Sequence, residues 1–200
     1  MTFDVCLACG ETAVEERVAS VTVERLNRKV TITDRHMCCT ACGNVSYRGD
    51  QITAHELAVA NAIRDEDGLL TAAELSLVRS KYGLRQTDME QILSTGPKTW
   101  TRWERGKVVQ SKSTDKLIRA ISEDPYLARD MMLQAGVVNP EAEAVFAQIE
   151  RDHRMIVEAR FRARLGSGAD VDSLVEIATE GAFEALHEVR VRTRKGEMAA

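Results

Sequence analysis

The sequence predicts a mainly helical, α+β multidomain chain with a small cysteine-clamped β-hairpin domain at its N-terminus. Three observations lead there. All five cysteines fall within the first 42 of 200 residues. The stretch between the cysteines alternates at period two. From residue 51 onward, apolar residues recur at helical spacing between helix-capping signals. Composition agrees: 44% of residues are hydrophobic but only 4% aromatic, which suits helices built from Leu, Val, Ile and Ala better than a large β-sandwich. With 12 Gly and 3 Pro the chain is neither collagen-like nor largely disordered. No apolar run is long enough for a transmembrane helix. Met1 to Gly10 has an acid at Asp4 and no basic segment, so no secretory signal and a cytoplasmic location are expected.

The cysteines come as Cys6-Leu-Ala-Cys9-Gly10 and Cys39-Thr-Ala-Cys42-Gly43, with 29 residues between Cys9 and Cys39. An odd number of clustered thiols is a poor disulfide framework. Two C-x-x-C-G knuckles instead suit a tetrahedral zinc ion, each turn presenting two thiolates. The glycine frees the backbone so that amide N–H groups can point at sulfur. Cys6, Cys9, Cys39 and Cys42 close the shell, which implies one structural Zn2+ per chain rather than a hydrolytic one. Cys38 would make a worse C-x-x-x-C pair and is read as a bystander. His36 and His55 are read as surface or hairpin-packing residues, and a redox dithiol is the alternative use of the thiols. Between the knuckles, Arg17–Glu24 and Lys29–Thr33 read as strands, joined by a turn at Leu26-Asn27-Arg28. A hairpin of this size cannot hold itself by apolar burial, so metal binding would supply much of its folding free energy.

Gln51 to Asp67 reads as a connector helix solvated on one side, with Ile52, Leu57, Val59 and Ile63 apolar. Residues 1–50, 51–68, 69–137 and 138–200 are thus the expected domains. The third is the locally basic one, with 11 basic and 8 acidic residues against a chain net charge of -4. Thr71-Ala72-Ala73-Glu74 fits a capping box, Leu75, Val78 and Tyr82 follow at helical spacing, and Gly83 stops the helix. Gln86 to Leu93 is a second helix, Ser94-Thr95-Gly96 a turn, and Pro97 to Arg105 a third helix with Pro97 at its first position. Asp115–Ser122 and Pro125–Gln134 complete the set. Five short helices with a glycine-containing turn between the second and third describe either a helix-turn-helix or an ordinary charged bundle.

In the helix-turn-helix reading, Lys98, Thr99, Thr101, Arg102 and Arg105 are exposed on the third helix and Trp103 anchors it. Arg102 would pair with guanine in the major groove, while Gln86 and Thr87 would meet phosphate at the start of the second helix. Lys107 would add backbone attraction. No Gly-rich phosphate loop, H-E-x-x-H or G-x-S-x-G occurs, so no enzyme is expected.

The run Leu84-Arg85-Gln86-Thr87-Asp88-Met89 with Trp100-Thr101-Arg102-Trp103-Glu104-Arg105-Gly106 resembles the Xre/Cro-type helix-turn-helix. Together with the upstream knuckles, residues 3–135 resemble the MqsA-family antitoxins of type II toxin–antitoxin systems. The resemblance implies a zinc domain that binds a cognate toxin. It also implies a helix-turn-helix domain that dimerises on a palindromic operator and represses its own operon. By position, Cys6, Cys9, Cys39 and Cys42 match the zinc ligands and Arg102 a base-reading arginine. Lys98 stands where the best-known form has asparagine, which implies a different operator. A stand-alone regulator without a toxin, or an adaptor that never meets DNA, are the rival readings.

Residues 138–200 have no counterpart in the short family form. Glu141 to Leu165 carries one apolar stripe that includes Ile149, His153 and Phe161. Gly166-Ser167-Gly168 breaks it, and Val171 to Val189 carries a second stripe before the basic end Arg190–Lys195. Two such helices cannot bury both stripes alone, so a partner-binding or dimerising role is expected.

Overall fold

The computed structural model describes residues 5–25, 27–165 and 169–194. The Gly166-Ser167-Gly168 break, Leu26 of the hairpin turn and the side chains of the basic C-terminal end lie outside the described residues. Two compact units divide the chain, the first ending at Asn139 and the second beginning at Pro140.

The first unit opens with an antiparallel hairpin, β1 (Val14–Arg25) and β2 (Arg28–Cys39), with β3 (Val45–Ser46) added to the far edge of β2. Register runs without a slip from Arg25↔Arg28 to Val14↔Cys39. Both strands are thus longer than the predicted ones, because polar stretches at their ends complete the ladder. Asn27 takes φ 59° at the turn, a left-handed conformation that asparagine tolerates in tight hairpins.

Helix α1 (Gly49–Asp67) lies on β2. Val30 and Ile32 from β2 bury against Val59 and Ile63 from α1, with Val23, Ala58, Ala62 and Val109 packed around them. Alternation explains the strand half of this core, since Val30 and Ile32 share one face. Gly68, at φ 63°, ends α1, and its amide donates back to Asp65 O.

Five short helices follow: α2 (Ala72–Lys81), α3 (Gln86–Ile92), α4 (Thr99–Glu104), α5 (Lys112–Glu123) and α6 (Pro125–Gln134). The expected capping box is present, with Thr71 Oγ1 accepting from Glu74 N at 3.2 Å and Glu74 Oε2 accepting from Thr71 N at 2.7 Å. Helix α5 starts three residues before the predicted Asp115, because Ser111 Oγ accepts from Thr114 N. Leu75, Tyr82, Met89, Trp100, Ile118, Ile121 and Met132 are fully enclosed and form the helical core.

Buried polar groups tie these helices together. Asp115 Oδ1 accepts from Leu70 N (2.8 Å) and Gln110 Nε2 (3.1 Å), and its Oδ2 accepts from Arg119 Nε (2.7 Å). Burial pushes the pKa of this carboxyl up, but those three donors outweigh it and hold it below its ordinary value. Asp34 and Glu104 behave in the same way, their donors overriding burial. A carboxyl whose folded pKa lies below its unfolded value of about 4 contributes stability above that value and loses it as pH falls through the folded pKa. Melting temperature followed by circular dichroism is therefore expected to respond little to these groups from pH 7 to about 5, then to fall steeply below about 4. A steep fall already complete at pH 5 would contradict this.

The second unit is a pair of helices, α7 (Pro140–Leu165) and α8 (Ala169–Arg194). Arg162 pairs with Asp172 at 3.3 Å, and the Arg154 guanidinium sits 5.0 Å over the Phe183 ring. Val175 and Thr179 of α8 are buried, but Met155, Ile156, Leu165, Leu174, Ile177 and Leu186 stay exposed. None of the helices among the described residues is long and apolar enough to cross a membrane.

Candidate metal centre and basic helix face

The hairpin register delivers the second knuckle directly: β2 ends at Cys39, opposite Val14, four residues after Gly10. The two knuckles are built alike. In the first, Gly10 N donates to Cys6 O (2.8 Å) and Cys6 N to Glu11 O (2.7 Å); in the second, Gly43 N donates to Cys39 O (2.8 Å) and Cys39 N to Asn44 O (2.9 Å). Gly10 (φ 81°) and Gly43 (φ 74°) occupy the left-handed region that this closure requires. Their own amides go to carbonyl oxygen rather than to sulfur. The reversal of direction instead aims the next amide at the second thiol of each pair, Glu11 toward Cys9 and Asn44 toward Cys42. Thr40 N, donating to Ala13 O at 2.8 Å, joins the knuckles.

As a result, Cys6, Cys9, Cys39 and Cys42 converge, their four sulfurs all within 4.8 Å of one another. Cys6 Sγ is 3.6 Å from Cys42 Sγ, and Cys9 Sγ is 3.7 Å from Cys39 Sγ. A tetrahedron with metal–sulfur bonds of about 2.3 Å has edges of about 3.8 Å, so the donor set fits a four-coordinate ion. Amides of Cys9 and Ala8 lower the Cys6 thiol to about 7, whereas burial and crowding by the other sulfurs override the amides of Glu11 and Asn44 and raise Cys9, to about 12, and Cys42.

Cys38 is buried apart from this cluster, its Sγ 3.8 Å from Cys39 O. His36 and His55 are also absent from it. Both turn their Nδ1 to the buried Asp34, at 3.2 and 2.9 Å, and Tyr47 donates its hydroxyl to the same carboxylate at 2.8 Å. His55 and Tyr47 therefore tie α1 and the chain leaving β3 to the hairpin, whereas His36 bonds within its own strand. Nothing in their spacing pointed to Asp34 as the shared acceptor.

Among the helices, α4 is shorter than predicted. Pro97 is not its first residue; the turn from α3 runs on to Lys98, whose φ of 62° places it at the helix N-cap. Gly96 does not supply the left-handed geometry either. Ser94 (φ 51°) and Lys98 do, at a cost of about 1 kcal/mol or more each. Glu90 holds this turn, its carboxylate accepting from Trp100 N at 3.1 Å.

Trp100 is the deeper anchor of α4, completely buried, with Trp103 stacked edge-on at 5.8 Å. At the centre sits Glu104, which accepts from Arg79 Nε (2.6 Å), Trp100 Nε1 (2.7 Å) and Gln86 Nε2. Thr101 Oγ1 donates to Gln86 Oε1 at 2.9 Å. Gln86 and Thr101 are thus half-buried partners of each other, and Thr99 is half-buried too, while Thr87, Lys98, Arg102, Arg105 and Lys107 are exposed. Lys98, Arg102 and Arg105 follow at i, i+4 and i+7, which places them on one face. The nearby ion pairs, Arg79–Glu104 and Arg119–Asp115, use none of these charges. Arg79, Glu90 and Glu104 were not picked out by spacing, because their partners lie up to 25 residues away.

Residues 2–132 match the family described as the antitoxin component of bacterial toxin–antitoxin systems, MqsA. The chain belongs to the MqsA antitoxin family. The match spans the sulfur cluster, α1 and the helices as far as α6, and stops before α7, so the second unit lies outside the part that defines family membership. A comparison with curated proteins finds no match.

Proposed function

We propose that this MqsA-family chain neutralises a cognate toxin by direct binding and represses its own operon by reading operator DNA, as a homodimer and without catalysis. Zn2+ is the ion proposed for Cys6, Cys9, Cys39 and Cys42. A closed shell of four thiolates leaves no position for a reacting water, so the metal's part is structural. The expected division into a metal domain, a connector, a helix-turn-helix domain and a helical extension belongs to the same proposal.

The observation that carries the DNA reading is the face of α4. Lys98, Arg102 and Arg105 project from a helix that is otherwise fixed by Trp100, Trp103 and Glu104. A short rigid helix with three exposed cations on one side suits the major groove, where Arg102 would form two hydrogen bonds to a guanine edge. Thr87 at the start of α3 and Lys107 beyond α4 would meet phosphates flanking it. Gln86, Thr99 and Thr101 belong to the proposed interface mainly as the layer beneath, since Gln86 and Thr101 already hold each other.

A mobility shift with the DNA upstream of the chain's own gene tests this reading. Arg102→Ala is expected to cost about 1–3 kcal/mol and to relax preference at one base-pair position per half-site. Unchanged affinity and unchanged preference would contradict the assignment.

A further inference from the structure

The segment leaving α4 is gripped by α1. Arg64 of α1 is 1% exposed, a completely enclosed cation. Its Nη2 donates to Val108 O at 2.6 Å, and its Nη1 to Gly106 O at 3.2 Å and Asn61 Oδ1 at 3.0 Å. Gly106 has φ 73°, and a Cβ there would stand 3.0 Å from the Leu57 side chain of α1. Val109 then packs into the cluster of Val30, Ile32, Val59 and Ile63, and Gln110 Nε2 donates to Leu70 O at 2.7 Å. At its other end the same segment folds back on α4: Lys107 N donates to Arg102 O (3.0 Å) and Gly106 N to Trp103 O (2.9 Å). Lys107, the residue between the two whose carbonyls Arg64 holds, is thus the one bonded to the backbone of Arg102.

Burying a guanidinium on main-chain carbonyls is an expensive way to fill space, and an apolar side chain of the same volume would pack at lower cost. What the guanidinium adds is direction. Its planar fork fixes two carbonyls two residues apart, and with them the path of the chain at the end of α4. We infer that Arg64 is a positioning residue for DNA reading, setting the orientation of Arg102 through the 106–110 segment and so making the hairpin and α1 part of the operator-reading apparatus. This inference rests on α4 being the reading helix.

The test compares the full-length chain with its Arg64→Met and Arg64→Lys variants. Affinity is measured at one salt concentration for two duplexes, the chain's own upstream DNA and a scrambled sequence of equal length. Phosphate attraction is common to both duplexes, whereas base reading belongs to the first alone. Arg64→Met is expected to lose tenfold or more on the upstream DNA while staying within twofold on the scrambled duplex. Arg64→Lys, which keeps a donor but not the fork, is expected to recover part of the loss. A fall of both affinities together with the melting temperature would overturn the inference, because it marks a structural staple only. A wild-type preference that survives Arg64→Met intact would overturn the inference while leaving the DNA reading standing. Equal wild-type affinity for the two duplexes would remove the DNA reading, and the inference with it.

Discussion

Replacing Cys39 by serine is expected to strip the purified chain of about one equivalent of zinc and to unfold the knuckle end of the hairpin. A serine hydroxyl is a far poorer zinc ligand than a thiolate, and the three remaining sulfurs cannot close the shell. Structural zinc contributes on the order of 10 kcal/mol to small domains of this kind, so the loss is large locally. The structure also limits how far it spreads. Val30 and Ile32 are buried against Val59 and Ile63 in a cluster that includes none of the four sulfurs. Amide exchange should therefore lose protection at Gly10, Cys39, Thr40 and Gly43, whose bonds close the knuckles, and keep it around Val30 and Ile32. Cys38→Ser should leave the zinc content at one equivalent, since Cys38 lies outside the cluster. If Cys38→Ser is the variant that loses metal, the proposed ligand set is wrong.

Glu104→Ala should be the most damaging single change in the helical domain. The Glu104 side chain is 8% exposed and satisfies Arg79, Trp100 and Gln86 at once. Its removal leaves a largely buried guanidinium and an indole N–H without their acceptor, and breaking such a buried pair costs about 3–5 kcal/mol. For a helical domain of this size the melting temperature should fall by more than about 10 °C. Operator binding should weaken at temperatures where the chain is still folded, because Arg79 and Gln86 lose their acceptor on α4 and only the Thr101 bond to Gln86 is left to brace α3 against α4. Glu104→Gln preserves shape but not charge and should lie between. A melting temperature within about 3 °C of wild type for Glu104→Ala would show that the network contributes little.

Local signals were the legible part of the sequence. The C-x-x-C-G spacing identified the four converging sulfurs, because a knuckle is a contiguous turn whose geometry depends on a few residues. Thr71 and Glu74 marked the start of α2 for the same reason. The period-two stretch gave the hairpin, although its length followed from pairing rather than from apolar content. The link from α3 to α4 departs from its local signals: Pro97 and Gly96 are favourable for a helix start and a turn, but Glu90 and the burial of Trp100 impose a different path through Ser94 and Lys98. Tertiary context overrode local preference there. The buried polar links were not legible at all. Arg64 to Val108 and Leu70 to Asp115 join residues 44 and 45 positions apart, and no period or spacing encodes such a pair. Likewise α1, read as a connector, turned out to supply half of a hydrophobic core, since its partner Val30 and Ile32 face became visible only once the hairpin was formed. For the second unit, the exposed Leu174 and Ile177 agree with the expectation that two amphipathic helices leave apolar surface uncovered.

The proposed antitoxin role requires that the chain silence a harmful partner encoded beside it. The direct measurement is growth of cells carrying the neighbouring open reading frame under an inducible promoter, with and without this chain expressed from a second plasmid. The expected result is arrest when the neighbour is induced alone and normal growth, with a co-purifying complex, when both are present. A neighbour that is harmless by itself, or one whose toxicity persists undiminished beside the full-length chain, would contradict it.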